Sequence, residues 1–83
     1  MATHIEITVQ PDTWTKIADS GDNATCQLQT GGIVWVRQED EEPSELKGGV
    51  IYKYKELIGL WPATSNVWVR SYHKDASIEI QKD

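Results

Sequence analysis

The sequence has one cysteine, no phenylalanine, two histidines and three prolines among its 83 residues. A single thiol, Cys26, excludes an intrachain disulfide and fits synthesis in a reducing cytoplasm. His4 and His73 stand far apart and no second cysteine exists, so no metal-ligand spacing is present. No apolar run approaches the ~20 residues needed to cross a bilayer. The opening Met1-Ala2-Thr3-His4-Ile5-Glu6 has neither a basic region nor an apolar core and does not read as a signal peptide. Positive charge is also scarce. Eight Lys and Arg face thirteen Asp and Glu, a net charge of −5, which argues against the basic surface of a nucleic-acid binder. A chain of this length buries only roughly 60–65% of its unfolded surface. Small domains of this kind usually draw stability from disulfides, a metal or oligomerisation. With the first two missing, oligomerisation is the expected source.

What the chain does have is a tetrapeptide that occurs twice, Val34-Trp35-Val36-Arg37 and Val67-Trp68-Val69-Arg70. On a β-strand alternate side chains point the same way. The valines of each copy therefore share one face, and the tryptophan and arginine share the other. The valine face suits a packed interior. The other face suits a second contact surface, where a guanidinium lies on an indole. A short chain cannot readily cover both faces, so the Trp/Arg face is expected to meet another molecule. Outside the tetrapeptide the copies agree poorly, which points to two equivalent strands and not to a duplicated domain.

Along the chain, Ile5, Ile7 and Val9 alternate with Glu6 and Thr8, a period of two that predicts a strand. Pro11-Asp12 ends it. A short strand is predicted over residues 13–18, with Trp14 and Lys16 on one face and Thr15 and Ile17 on the other. Asp19-Ser20-Gly21-Asp22-Asn23 is a dense turn signal. Residues 25–29 alternate again with Cys26 and Leu28 inward, and Gly31-Gly32 marks a hairpin connection. The first repeat copy follows. Five carboxylates fall within residues 39–45, so the stretch 39–49 reads as a solvated acidic loop. Carboxylates are hard calcium ligands, but the ordered spacing of a calcium loop is missing. Residues 50–55 alternate once more, with lysines that guard a sheet edge. Leu57-Ile58-Gly59-Leu60 reads as one helical turn near residues 56–60 or as an irregular segment. The second repeat copy and a closing strand around Ile78 and Ile80 complete the chain. The expected fold is a single all-β domain over residues 1–83, a small sandwich or barrel of about seven short strands. Its predicted core is Ile5, Ile7, Val9, Ile17, Cys26, Leu28, Val34, Val36, Val67, Val69, Ile78 and Ile80.

The residues show no catalytic constellation. The Ser, Thr and Asp residues cluster in turns, where they bond the local backbone. Cys26 falls on an inward strand face, where a thiol is inert. Gly31-Gly32 and Gly48-Gly49 lack the following helix of a phosphate cradle. No enzyme activity, cofactor or metal is expected. Four tryptophans, Trp14, Trp35, Trp61 and Trp68, are the remaining signal. They read as core, as a sugar-stacking platform, or as a protein interface, where Trp and Arg are enriched. The arginine beside each repeat tryptophan favours an interface built of Trp14, Trp35, Arg37, Trp68 and Arg70.

The run Trp14-Thr15-Lys16-Ile17-Ala18-Asp19, a Gly/Asp/Asn turn, a strand ending in Gly31-Gly32, and Val34-Trp35-Val36-Arg37 resembles small structural proteins of tailed bacteriophages. These are capsid decoration (cement) or head-fibre proteins. Pro62-Ala63-Thr64-Ser65-Asn66, the second repeat copy and the closing Ile-x-Ile strand extend the likeness to about half the chain. The acidic stretch 39–45 and the Tyr-Lys strand after it fall outside it. The resemblance implies a non-enzymatic virion protein, assembled in the host cytoplasm. It would self-associate, commonly as a homotrimer, and bind the major capsid protein on the capsid surface, with no role for nucleic acid or membrane. Two other readings stay open. One is a carbohydrate- or receptor-binding module with an exposed Trp35/Trp68 face. The other is a single-stranded nucleic-acid binder of the five-stranded barrel type, which the −5 charge disfavours.

Overall fold

A computed structural model describes the backbone of residues 3–53, 57–60 and 63–82, and the side chains of these except Thr3, Leu57, Ile58 and Leu60. Trp61 and the expected continuation of a strand through Tyr54 and Lys55 lie outside the described residues. The described residues form eight strands: β1 (Thr3–Val9), β2 (Thr15–Ala18), β3 (Ala24–Thr30), β4 (Ile33–Gln38), β5 (Val50–Lys53), β6 (Leu57–Leu60), β7 (Val67–Ser71) and β8 (Ala76–Lys82). All pairings are antiparallel, in two four-stranded sheets ordered β1-β8-β3-β6 and β2-β7-β4-β5. The fold is all-β, as expected.

One of the eight strands corrects the sequence reading. Leu57–Leu60 is not a helical turn: Leu57 lies opposite Gln27 and Leu60 opposite Ala24 in a ladder with β3. An apolar run of four residues has no periodicity long enough to separate helix from buried strand. The neighbouring strand's free hydrogen-bonding edge decides it.

The pairing follows a simple plan. Thr3 lies opposite Lys82, Thr15 opposite Val69, Ala24 opposite Leu60 and Val36 opposite Val50. Partner positions thus converge steadily from both ends, and the whole chain is one long hairpin whose tip is the acidic segment 39–49. That ribbon then rolls on itself, which sets β8 beside β3 and β7 beside β4. Eight strands nested in this way make a double-sheet jelly roll.

The two inner faces close one apolar core containing Val9, Ile17, Cys26, Leu28, Val34, Val36, Val67, Val69, Ile78 and Ile80, ten of the residues expected there. Ile7 packs against that core only in part. Ile5 is a correction, since it remains 38% exposed. It lies opposite buried Ile80, but β1 is an edge strand, so no strand covers it on the far side. Ala18, Ala24, Ala63 and Ala76 complete the buried interior. Burial pushes the Cys26 thiol from its ordinary value of 9.0 up to about 11, so it is protonated at neutral pH.

Candidate functional site

The two Val-Trp-Val-Arg copies are neighbours at the centre of the second sheet. In the β4–β7 ladder Trp35 lies opposite Arg70, Val36 opposite Val69, and Arg37 opposite Trp68. The antiparallel pairing thus crosses the copies, setting the tryptophan of each against the arginine of the other. All four repeat valines point inward and are buried. The Trp/Arg residues point outward, as the period of two requires.

Trp14, immediately before β2, completes this outer face. The Arg70 guanidinium lies 5.4 Å from the Trp14 ring centroid and 5.6 Å from that of Trp35. Arg37 lies 5.9 Å from the Trp14 ring. Guanidinium and indole faces attract through the ring quadrupole, more strongly where water is excluded. Water is largely excluded here: Trp14 is 4% exposed and Arg70 only 8%.

The cover comes from the chain's own hairpin tip. Trp14 Nε1 donates to the Glu45 carbonyl at 2.7 Å, and Trp68 Nε1 to the Glu39 carbonyl at 3.0 Å. Arg37 Nη1 donates to the Lys47 carbonyl at 3.0 Å. Arg70 Nη2 donates to the Leu46 carbonyl at 2.9 Å, and its Nη1 to the Pro11 carbonyl at 3.0 Å. Arg37 Nε also pairs with the Glu39 carboxylate. Pro43 is buried within the loop. Acidic residues 39–49 are therefore not simply solvated. Their backbone is strapped across the Trp/Arg face by carbonyl acceptors, while Asp40, Glu41, Glu42 and Glu45 stay exposed. The face expected to need another molecule is covered in part by this strap, and Trp14 lies beneath it.

The five expected interface residues are thus brought together, but unequally. Trp14 and Arg70 are sealed inside the folded chain, whereas Trp35, Arg37 and Trp68 are half-buried. Trp35 Nε1 is buried without an acceptor among the described residues. Sequence reasoning overlooked Tyr72, which is 51% exposed and stacks on Trp35 with ring centroids 6.5 Å apart. Its position two residues beyond Arg70 was the available signal, since it shares that outward face. Ile51, opposite Trp35 in the ladder and also exposed, was overlooked too.

The outer face of the other sheet holds an open cleft of about 470 Å³, lined by His4, Thr25, Gln27, Gln29, Glu79 and Gln81 among others. His4 Nε2 contacts the Glu79 carboxylate, and Gln29 Nε2 donates to Gln27 Oε1 at 3.0 Å. Cys26 is a buried neighbour with its thiol protonated. Among the described residues no group of three His, Cys, Asp or Glu is placed to hold a metal ion. Among the described residues neither face brings a nucleophile, a base and an oxyanion donor together.

No family model matches the chain, and no curated protein and no solved structure matches it either.

Proposed function

We propose that the chain is a non-enzymatic virion structural protein of a tailed bacteriophage, one that self-associates and binds the outer capsid surface as a decoration or head-fibre subunit. The observation that carries this reading is the outer face of the second sheet. Trp14, Arg70 and Trp35 are stacked into a rigid layer, and Tyr72 and Ile51 continue it into solvent. Trp, Tyr and Arg are enriched among the side chains that carry most of the binding energy at protein interfaces, and Tyr72 and the half-buried Trp35, Arg37 and Trp68 remain within reach of a partner. The jelly roll supports the same reading by analogy, since viral capsid domains use it, although fold alone does not carry function.

The test is to band particles from the producing lysate in a density gradient and identify this chain by mass spectrometry. The expected result is a fixed stoichiometry with the major capsid protein and release by mild denaturant before the shell opens. Recovery only in the soluble fraction would sink the reading.

A carbohydrate-binding module is the second reading, and one observation favours moving its site off the tryptophans. The cleft lined by Gln27, Gln29 and Gln81 offers paired amide donors and acceptors suited to vicinal hydroxyls. Calorimetric titration with oligosaccharides, repeated on Gln27→Ala, distinguishes it from the virion reading.

A further inference from the structure

The cleft on the outer face of the first sheet is walled by three adjacent strands. Buried Cys26, Leu28, Ile78 and Ile80 set the inward positions of β3 and β8, so Thr25, Gln27, Gln29, Glu79 and Gln81 face out. The ladders arrange them in rows. Gln81 lies opposite both His4 and Thr25, and Glu79 lies opposite both Glu6 and Gln27. Directly opposed side chains have Cβ atoms ~4.5–5.5 Å apart, close enough to act on one ligand. Gly59 stands opposite Thr25 on β6 and adds no side chain, so the cleft is not walled on that side.

The lining narrows the ligand class. No Lys or Arg lines the cleft, and Glu79 lies opposite a second carboxylate, Glu6. Phosphates, sulfates and carboxylates are therefore repelled. No Phe, Tyr or Trp lines it, which removes stacking of a nucleobase and caging of an organic cation. What the cleft concentrates is primary amide. Three of the chain's five glutamines, Gln27, Gln29 and Gln81, stand there with the Thr25 hydroxyl. A primary amide carries two donors and an acceptor, the complement of neighbouring hydroxyls on a sugar ring. The Glu79 carboxylate, held by His4 Nε2, is a further hydroxyl acceptor.

We propose that this cleft is a binding site for uncharged oligosaccharides, that it rejects acidic ones, and that it works independently of the Trp/Arg face. This rests on the saccharide reading of the cleft and adds the charge of the ligand and the coexistence of two sites in one molecule. The outer faces of two packed sheets point away from each other, so a partner on Trp35 and Tyr72 leaves Gln27 and Gln81 uncovered. The volume of about 470 Å³ falls within the ~300–1,000 Å³ of small-ligand sites. An open cleft without an aromatic floor buries little apolar surface, so each site is weak. Copies fixed on one shell would turn weak sites into avidity.

The test is nuclear magnetic resonance on isotopically labelled chain. The probes are neutral hexasaccharides of glucose, galactose and mannose, with oligogalacturonate as the acidic probe. At least one neutral probe should shift the side-chain amide signals of Gln27, Gln29 and Gln81 in a saturable way. The indole N–H signals of Trp35 and Trp68 should stay in place, and oligogalacturonate should shift none of these. Gln27→Ala and Gln81→Ala should each raise Kd by about 2- to 10-fold, the worth of one hydrogen bond. Thr8→Ala, on the same outer face but outside the cleft, should leave Kd unchanged. Binding of oligogalacturonate as tight as that of the neutral probes overturns the proposal but leaves a saccharide-binding chain, and so do shifts centred on the indoles. No saturable shift with any neutral probe overturns the saccharide reading and the proposal together. A chain that binds neutral probes at the cleft yet never bands with particles keeps this site and loses the capsid reading.

Discussion

Replacing Arg70 with methionine keeps an unbranched side chain of similar reach but removes the guanidinium, and its effect can be worked from the contacts. Two charged donors are lost, to the Pro11 and Leu46 carbonyls. Hydrogen bonds of this kind contribute ~1.5–3 kcal/mol each. The contacts with the Trp14 and Trp35 rings add ~0.5–2 kcal/mol. Against this, the variant escapes the desolvation of a buried cation, which costs several kcal/mol. The Leu46 carbonyl regains water as well, because the strap is exposed on its outer side. The balance is a loss of ~2–3 kcal/mol. For a domain of this size that lowers Tm by ~10–20 °C. The acceptors are two separate neutral carbonyls, so the planar fork matters more than the charge. A lysine reaches both less well, and Arg70→Lys should recover less than half of the loss. Thermal unfolding by circular dichroism reads Tm, and hydrogen exchange over residues 39–49 reads release of the strap. A Tm within ~3 °C of wild type for Arg70→Met, or full rescue by Arg70→Lys, would refute the reasoning.

Trp35→Phe should be tolerated better than Trp14→Phe or Trp68→Phe in chemical denaturation. Only the last two lose an indole hydrogen bond to the strap, each at ~0.5–1.5 kcal/mol, whereas Trp35 Nε1 is an unpaired buried donor. Gly31→Ala should destabilise far more than Gly32→Ala. Both have positive φ, but an added Cβ at Gly31 would meet Ala76 Cβ at 2.4 Å while Gly32 faces open space; urea midpoints compare them. Val36→Ala and Val69→Ala should each cost on the order of 1–3 kcal/mol through cavities, measured the same way. Cys26 should resist thiol reagents in the native state at neutral pH. Its raised value means that the stability it contributes is complete below pH 9 and is lost as pH rises toward about 11, so Cys26→Ala should flatten the alkaline fall in Tm.

Much of this architecture is legible in the residues. The period of two in Ile5-Glu6-Ile7-Thr8-Val9 and in both Val-Trp-Val-Arg copies sets strand, face and core together, because a pleated strand has only two sides. Paired glycines with positive φ, Gly31 and Gly32, mark the β3–β4 turn in the same local way. Inwardness of Val34, Val36, Val67 and Val69 follows from the alternation alone. Exposure of Ile5 does not, since it depends on β1 being an edge, and edges exist only once strands are ordered.

The tertiary structure decided what lies against the Trp/Arg face. Nothing local to residues 34–37 or 67–70 says that β4 and β7 are neighbours, or that the tryptophan of one copy meets the arginine of the other. That register comes from rolling the whole hairpin. The acidic segment read as solvated loop because five carboxylates resist burial, and they do remain outside. It is the backbone carbonyls of residues 39, 45, 46 and 47 that bind Trp68, Trp14, Arg70 and Arg37. Every residue carries a carbonyl, so an acceptor of this kind leaves no mark in a sequence. The alternation of residues determined the strands and their two faces; the closure of one face by the hairpin's own tip was decided only when the ends of the chain came together.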